Sequence, residues 1–146
     1  MRLTILTAAA TFAAMPVLAD YVTVPSPYPV GETTDALVSA IESAGANVIA
    51  RVNHAEAAAG VDLALAPAEL VIFGNPMLGT LPQQDDPRVG LVLPLRVLVY
   101  QDADGGTQVI YEEVEDMLGD FDVDADAMYL QRMIGALETV TGKAVE

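Results

Sequence analysis

A single histidine is the strongest candidate for chemistry in this sequence of 146 residues, which contains no cysteine. His54 follows Asn53, a residue type favoured at helix N-caps, and Glu56 lies three positions after Asn53, as in a capping box. The dipole at a helix N-terminus opposes protonation, so a neutral imidazole that accepts a hydrogen bond or ligates a metal is one interpretation. The other is a structural histidine that caps its own helix or packs beneath the loop around Asn75.

A second candidate is the stretch from Leu70 to Thr80, in which four large apolar residues are followed by Gly74-Asn75-Pro76. The apolar run predicts a buried strand, and the turn after it presents backbone amides and a side-chain amide at one point. His54 also follows a predicted strand, so we expect His54 and Asn75 at the same end of the sheet. The predicted ligand-binding groove is formed by six residues: His54, Asn75, Pro76, Gly79, Thr80 and Arg96.

Residues that catalyse hydrolysis or bind metals are scarce. Ser26, Ser39 and Ser43 lie in a proline-rich turn or on a predicted helix, and none occupies the strand-to-helix elbow of a hydrolase nucleophile. A zinc site usually needs three or four His, Cys or carboxylate ligands, and one histidine cannot lead such a set. No glycine motif that cradles phosphate is present. We therefore predict no catalytic residue, no metal site and no cofactor.

Four aspartates alternate in a spacing similar to the start of a calcium-binding loop: Asp120, Asp122, Asp124 and Asp126. The match fails at two positions that matter for calcium. Ala125 occupies the position of the loop glycine, and Gln131 occupies that of the bidentate acid. The pattern indicates a solvated acidic entry to a helix, with weak affinity for calcium.

The first 19 residues have the pattern of a cleaved export signal. Arg2 supplies a positive start, an apolar run follows over residues 3–14, and Val17-Leu18-Ala19 fits a signal-peptidase site. The run is shorter than the roughly twenty apolar residues that span a bilayer. We expect a mature chain that begins at Asp20, forms one domain over residues 20–146, has no membrane span and is periplasmic or secreted.

The charge balance is strongly acidic. The sequence has 6 Lys and Arg against 21 Asp and Glu, and because Arg2 lies in the predicted signal, the mature chain carries 5 − 21 = −16. Such a surface repels nucleic acid phosphates and anionic lipids, which excludes nucleic acid as a partner. The charge is either a solubility adaptation or the complement of a cationic protein partner.

The hydrophobic periodicity predicts an α+β two-layer sandwich, with a mostly antiparallel sheet and two long helices on one face. Strands are predicted at residues 21–24, 47–52, 69–73, 95–101 and 107–111. In the second strand, Val48, Ala50 and Val52 alternate with Ile49 and Arg51. Helices are predicted from Gly31 to a stop at Gly45, from Asn53 to Gly60, and from after Asp126 to a stop at Gly142. Residues 81–88 are predicted to form a loop or one irregular turn, residues 89–94 a bulged lead-in to a strand, and residues 102–106 a hairpin turn.

Several of these segments, in this order, resemble the domain of unknown function 302 family. The resemblance covers about residues 24–118 and is carried by Glu32-Thr33, Val52-Asn53-His54-Ala55, Leu70 to Thr80, Leu93 to Tyr100, and Tyr111. It implies a fold similar to the TATA-binding-protein-like sandwiches, in a strand-helix-four strands-helix order. It also draws attention to the positions that match the family pattern: His54, Asn75, Pro76, Gly79, Thr80 and Pro94-Leu95.

This chain departs from the family pattern at positions where acids are usual. Asn53 stands where the family usually has an acid, Val92 replaces the acid before Leu93-Pro94, and Leu81-Pro82-Gln83 replaces a more apolar stretch. If those acids serve a metal or a proton relay in other members, this chain has lost them. The departures favour binding over catalysis.

Three functions fit these observations. The first is an exported binding module for a small ligand or a protein, acting as a homodimer. The second is an enzyme or a haem- or metal-binding protein that uses His54. The third is an acidic structural protein that docks a cationic protein.

Overall fold

The alternation of apolar residues along the strands produces a sheet that is covered by helices on one face only. The computed structural model describes residues 20–146, so the predicted signal peptide lies outside the described residues. Every second residue of β3, β4 and β5 is buried. The strand bounds are β1 Tyr21–Ser26, β2 Asn47–Asn53, β3 Ala68–Gly74, β4 Leu95–Gln101 and β5 Thr107–Glu112.

The five strands form one sheet in the order β1-β5-β4-β3-β2, and each neighbouring pair is antiparallel. The helices are α1 Val30–Ser43, α2 His54–Ala59, α3 Pro76–Asp85, α4 Val114–Leu118 and α5 Met128–Ala144, with a 3₁₀ helix at Pro87–Leu91. The two long helices, α1 and α5, pack against each other and cover one face of the sheet. The predicted α+β sandwich is therefore confirmed.

The core lies between these two layers. Fully buried valines of the three central strands meet fully buried residues of the long helices, including Leu37 and Ile41 of α1 and Leu137 of α5. Within residues 20–146, no helix is both long and apolar enough to cross a membrane.

The predicted end of α1 at Gly45 is confirmed. Gly45 has a φ of +77°, a conformation that favours glycine. Its N–H donates to the Glu42 carbonyl, and the N–H of Ala46 donates to the Ile41 carbonyl at 3.2 Å. These two bonds satisfy carbonyls that the last turn of a helix leaves free, and they direct the chain into β2.

The predicted alternation of β2 is wrong at one position, because a bulge separates Val48 from Ala50. Val48 lies opposite Phe73, on the helix-covered face, whereas Ala50 and Val52 lie on the uncovered face. The extra residue of a bulge changes which face the following side chains occupy. Arg51 consequently lies on the helix-covered side, where it forms ion pairs with Asp35 and Glu69.

The predicted loop over residues 81–88 is also wrong, since α3 extends to Asp85 and the 3₁₀ helix begins at Pro87. Gly79 and Pro82 resemble helix breakers, yet both lie inside α3. Asn75 at the N-cap and Pro76 at the first helical position start this helix strongly enough to carry it past them.

The segment before β4 is a 3₁₀ helix instead of a bulged strand. In the C-terminal region, helix α4 was not predicted, and α5 continues through Gly142 to Ala144. The predicted hairpin is confirmed: Asp102 Oδ1 accepts the N–H groups of Asp104 and Gly106, and Gly105 has a φ of +87°.

Candidate functional site

The antiparallel pairing of β2 with β3 separates the two residues on which the predicted groove depends. Asn47 at the start of β2 lies opposite Gly74 at the end of β3, and Asn53 lies opposite Glu69. His54 and Asn75 therefore lie at opposite ends of the sheet, roughly 20 Å apart for six or seven strand residues. The prediction that both residues line one groove within a single chain is wrong.

Four of the six predicted ligand residues nevertheless line one cleft, which has a volume of about 410 Å³. The cleft lies between α3 and the end of the sheet where β2 begins, β3 ends and β4 begins. Its walls also include Met133 of α5. The thirteen lining residues are Asn47, Ile49, Gly74, Asn75, Pro76, Leu78, Gly79, Thr80, Gln83, Leu93, Pro94, Leu95 and Met133.

Asn75 positions the helix that forms one wall of this cleft. Its Oδ1 accepts the N–H of Met77 at 2.9 Å, which caps α3. Its Nδ2 donates to the Gly45 carbonyl at 3.4 Å and so links the α3 entry to the α1–β2 turn. Both polar atoms of the Asn75 side chain therefore form hydrogen bonds within the protein. The main role of Asn75 is to hold the walls of the cleft in place.

Gly79 leaves space at the cleft wall. A Cβ at this position would meet no other heavy atom within 4 Å. The adjacent turn is closed by Gln83, whose Nε2 donates to the Gly79 carbonyl at 2.9 Å. Thr80 is exposed beside it. The glycine therefore widens the cleft without being required by the backbone.

The lining of the cleft is uncharged. Apolar side chains dominate it, and its side-chain hydrogen-bonding groups are the amides of Asn47, Asn75 and Gln83 and the hydroxyl of Thr80. The cleft is within the size range of small-molecule sites, which combine apolar walls with a few polar groups that fix orientation. Such a lining can hold a small neutral molecule through van der Waals contact and a few hydrogen bonds.

The two remaining predicted residues lie elsewhere. His54 is half-buried at the start of α2, where Asn53 Oδ1 accepts the N–H of Glu56 at 2.9 Å and confirms the predicted N-cap. Arg96 lies on the uncovered face of the sheet, opposite Ile72, with its guanidinium 4.0 Å from a carboxylate oxygen of Glu112. Neither residue lines the cleft.

Within residues 20–146, no group of three or more His, Asp or Glu side chains is arranged to hold a metal ion. The alternating aspartates serve local structure instead. Asp124 Oδ1 accepts the N–H of Asp126, and the N–H of Asp122 donates to Asp86.

Sequence reasoning missed several walls of the cleft, among them Asn47, Ile49, Gln83 and Met133. They come from three elements, β2, α3 and α5, that only the fold brings together. One local signal could have revealed part of the site. Asn75-Pro76 combines a favoured N-cap with proline at the first helical position, which indicates that a helix begins here. A helix at this point extends the cleft wall from the end of β3 to Gln83.

Comparison with known proteins identifies the fold independently of this geometry. A family model described as domain of unknown function DUF302 matches residues 22–140. A crystal structure of an uncharacterized conserved DUF302 protein from Bacillus stearothermophilus superposes with a TM-score of 0.76. It covers 85% of this chain and 97% of that one at 19% sequence identity, a likeness that shows the fold.

Curated relatives match over a shorter segment. Over 84 residues, this chain is 44% identical to proteins named fluoride-specific ion channel FluC 1, from Brucella suis biovar 1 (strain 1330) and Brucella abortus biovar 1 (strain 9-941). The segment covers 58% of this chain and 33% or 31% of those proteins. The chain therefore spans about a third of the length of these relatives.

Proposed function

This chain belongs to the DUF302 family, and from that premise we propose that it is an exported binding module whose uncharged cleft holds a small neutral ligand. The module acts as a homodimer. The signal-like pattern of residues 1–19 supports a periplasmic or secreted location, and Asp20 is the expected first residue of the mature chain.

The observation that carries this proposal is the contrast between the cleft and the rest of the molecule. Residues 20–146 contain 21 acidic side chains, yet none of the thirteen residues that line the cleft is charged. An apolar concave site excludes anions and cations by their desolvation cost, whereas it gains free energy from burying a neutral molecule. The side chains of Asn47 and Thr80, with the hydrogen-bonding capacity that the bonds within the protein leave to Asn75 and Gln83, then orient that molecule.

Catalysis at the cleft receives less support than binding. Acid–base catalysis needs a titratable group within hydrogen-bond reach of the substrate, and the single histidine lies at the other end of the sheet. A reaction that uses His54 would need a second site around α2. The third candidate, docking of a cationic protein, is supported by the net charge of −16 over residues 20–146.

Substitution of Gly79 tests the cleft directly. Gly79→Leu adds a side chain at the cleft wall, where a Cβ meets nothing within 4 Å, so the helix accommodates it while the cleft loses volume. The matched control is Gly135→Leu in α5, which also has free space around its Cβ and does not line the cleft. Both variants should remain folded.

The measurement is fluorescence titration with Nile red, an uncharged dye of small-molecule size, together with native mass spectrometry for retained ligands. We expect the wild type and Gly135→Leu to bind the dye alike, and Gly79→Leu to bind it about tenfold more weakly, a difference of ~1.4 kcal/mol. Equal binding by Gly79→Leu and the wild type, or no binding by the wild type, contradicts the proposal.

A further inference from the structure

The face of the sheet opposite α1 and α5 carries a row of side chains that is apolar on four of the five strands. Residues opposite one another on neighbouring strands share a face. The register therefore defines a line that crosses all five strands in the order Thr23, Ile110, Leu98, Leu70 and Val52. The two long helices, α1 and α5, both cover the opposite face.

Two further rows flank this central line. One contains Tyr21 and Glu112, and it continues through Arg96, Ile72 and Ala50. The other consists of Pro25, Gln108, Tyr100 and Ala68. Tyr21 is 59% exposed and Val52 is 36% exposed on the two edge strands, whereas Ile110, Leu98 and Leu70 on the strands between them are half-buried.

The charge of this face differs from that of the molecule. Among the strand residues of the three rows, the charged side chains are one cation and one anion, Arg96 and Glu112. The face is therefore neutral in a segment of net charge −16. Two copies of such an acidic chain repel each other at long range, and a neutral apolar face is the surface through which they can still associate.

Arg96 and Glu112 are only loosely paired within one chain. Their closest nitrogen and oxygen atoms are 4.0 Å apart, and the Arg96 side chain is 46% exposed. A cavity of about 350 Å³ lies beside them. Tyr21, Leu98 and Ile110 of the uncovered face line it, and so do core residues of the helix-covered side, Leu95, Tyr111, Met117 and Leu137. The guanidinium can therefore donate to both oxygens of a second carboxylate.

The area of this face suits a dimer. Five strands spaced about 4.8 Å apart, each with about six residues rising ~3.3 Å, give a footprint of roughly 500 Å² before side-chain relief is counted. A standard interface buries about 800 Å² of accessible surface on each partner, which is the same order.

We propose that a second copy of this chain docks on the uncovered sheet face around a two-fold axis, with Arg96 of each copy paired to Glu112 of the other. The apolar row supplies the buried centre of the interface, and the two reciprocal ion pairs set its register. A two-fold interface is self-complementary, so the contact from the cation to the anion occurs twice. This inference rests on the homodimer of the proposed function and adds where it forms.

The test is a charge swap between copies, read by analytical ultracentrifugation and native mass spectrometry of the purified protein. Arg96→Glu and Glu112→Arg each place like charges opposite one another twice in a homodimer. We expect each single variant to raise the dissociation constant of the dimer at least about tenfold. Mixing the two variants should restore a dimer that contains one copy of each.

A matched control is Arg132→Glu, which makes the same charge change at an exposed position of α5 and should remain dimeric. A wild-type monomer overturns both this inference and the homodimer. A dimer that all the variants leave intact overturns the sheet-face interface alone. Single variants that dissociate but do not form the mixed dimer overturn the reciprocal ion pairs, since repulsion within each copy then explains the loss.

Discussion

At the scale of single residues, Asp86 is the carboxylate that accepts the most hydrogen bonds within residues 20–146. It is 5% exposed, and it accepts hydrogen bonds from the Arg88 backbone N–H, from the Arg88 guanidinium and from the N–H of Asp122. The hydrogen bonds from the Arg88 side chain, followed by the backbone donors, hold the pKa of Asp86 well below its usual value. Asp86 thereby ties the end of α3 to the acidic segment before α5.

We expect Asp86→Asn to destabilise the fold at neutral pH, because an amide cannot accept the same charge-assisted bonds. A pKa lowered in the folded state gives stabilisation that is present above the ordinary aspartate pKa of 3.8 and is lost as pH falls below it. The difference in free energy of unfolding from the wild type should therefore be full at pH 7 and shrink below about pH 4. Urea denaturation over this pH range measures it.

Asp120→Asn is the control for this comparison, because Asp120 is exposed. A destabilisation by Asp86→Asn that stays constant down to pH 3, or one that the control variant reproduces, contradicts the role assigned to the ionised carboxylate of Asp86.

At the scale of elements, the entry to α3 joins stability to the shape of the cleft. One side-chain amide caps the helix and also contacts the α1–β2 turn, so Asn75 connects three elements at the cleft. The family resemblance drew attention to this residue as part of a site. The two hydrogen bonds of Asn75 give this residue a structural role at the same place.

Replacing Asn75 distinguishes the contribution of the helix cap from that of the bond with Gly45. Asn75→Ala should lower the free energy of unfolding by about 1 kcal/mol, the usual value of an N-cap, whereas Asn75→Asp keeps a capping oxygen and should cost much less. Thermal denaturation and urea titration of the two variants measure the difference. Equal losses for both variants would assign the stabilisation to the bond with Gly45 instead of to the cap.

At the scale of the whole molecule, charge is distributed unevenly. The 127 residues from 20 to 146 carry a net charge of −16, while the cleft lining is uncharged and the three rows of the open sheet face sum to zero. Repulsion among the acidic side chains opposes the compact state and is screened by salt. The cleft and the open sheet face lack this repulsion, and they are the two surfaces for which we propose ligand binding and dimerisation.

We expect added sodium chloride to stabilise the fold at pH 7, because the Debye length falls from about 8 Å at 0.15 M to about 3 Å at 1 M. A gain of about 1 kcal/mol would raise the melting temperature by roughly 4 °C. Differential scanning calorimetry measures this change. The gain should diminish near pH 4, where carboxylates are partly protonated, and a salt effect that is equal at both pH values contradicts its assignment to carboxylate repulsion.

Residues close to one another in the sequence determined most of the helices, strands and turns. The periodicity of α1, the glycine after it, the apolar alternation of β4 and the Asp102 turn were all predicted, because each depends on residues within one or two turns of each other. The missed part of α3 is also local in origin. There the signals of Gly79 and Pro82 opposed those of Asn75 and Pro76, and the helix start prevailed.

The site was decided by contacts between distant parts of the chain. The same two strand ends that precede His54 and Asn75 would meet in a parallel pair, and they separate because β2 and β3 run antiparallel. The bulge after Val48 similarly moved Arg51 to the covered face. Strand direction and register depend on pairing energies summed over the whole sheet and on burial of one face, which no short window of sequence contains. For that reason the sequence alone determined that Pro76, Gly79 and Thr80, which follow Asn75 along the chain, share its site. Only the tertiary structure decided that Gln83 and Met133 join them while His54 and Arg96 do not.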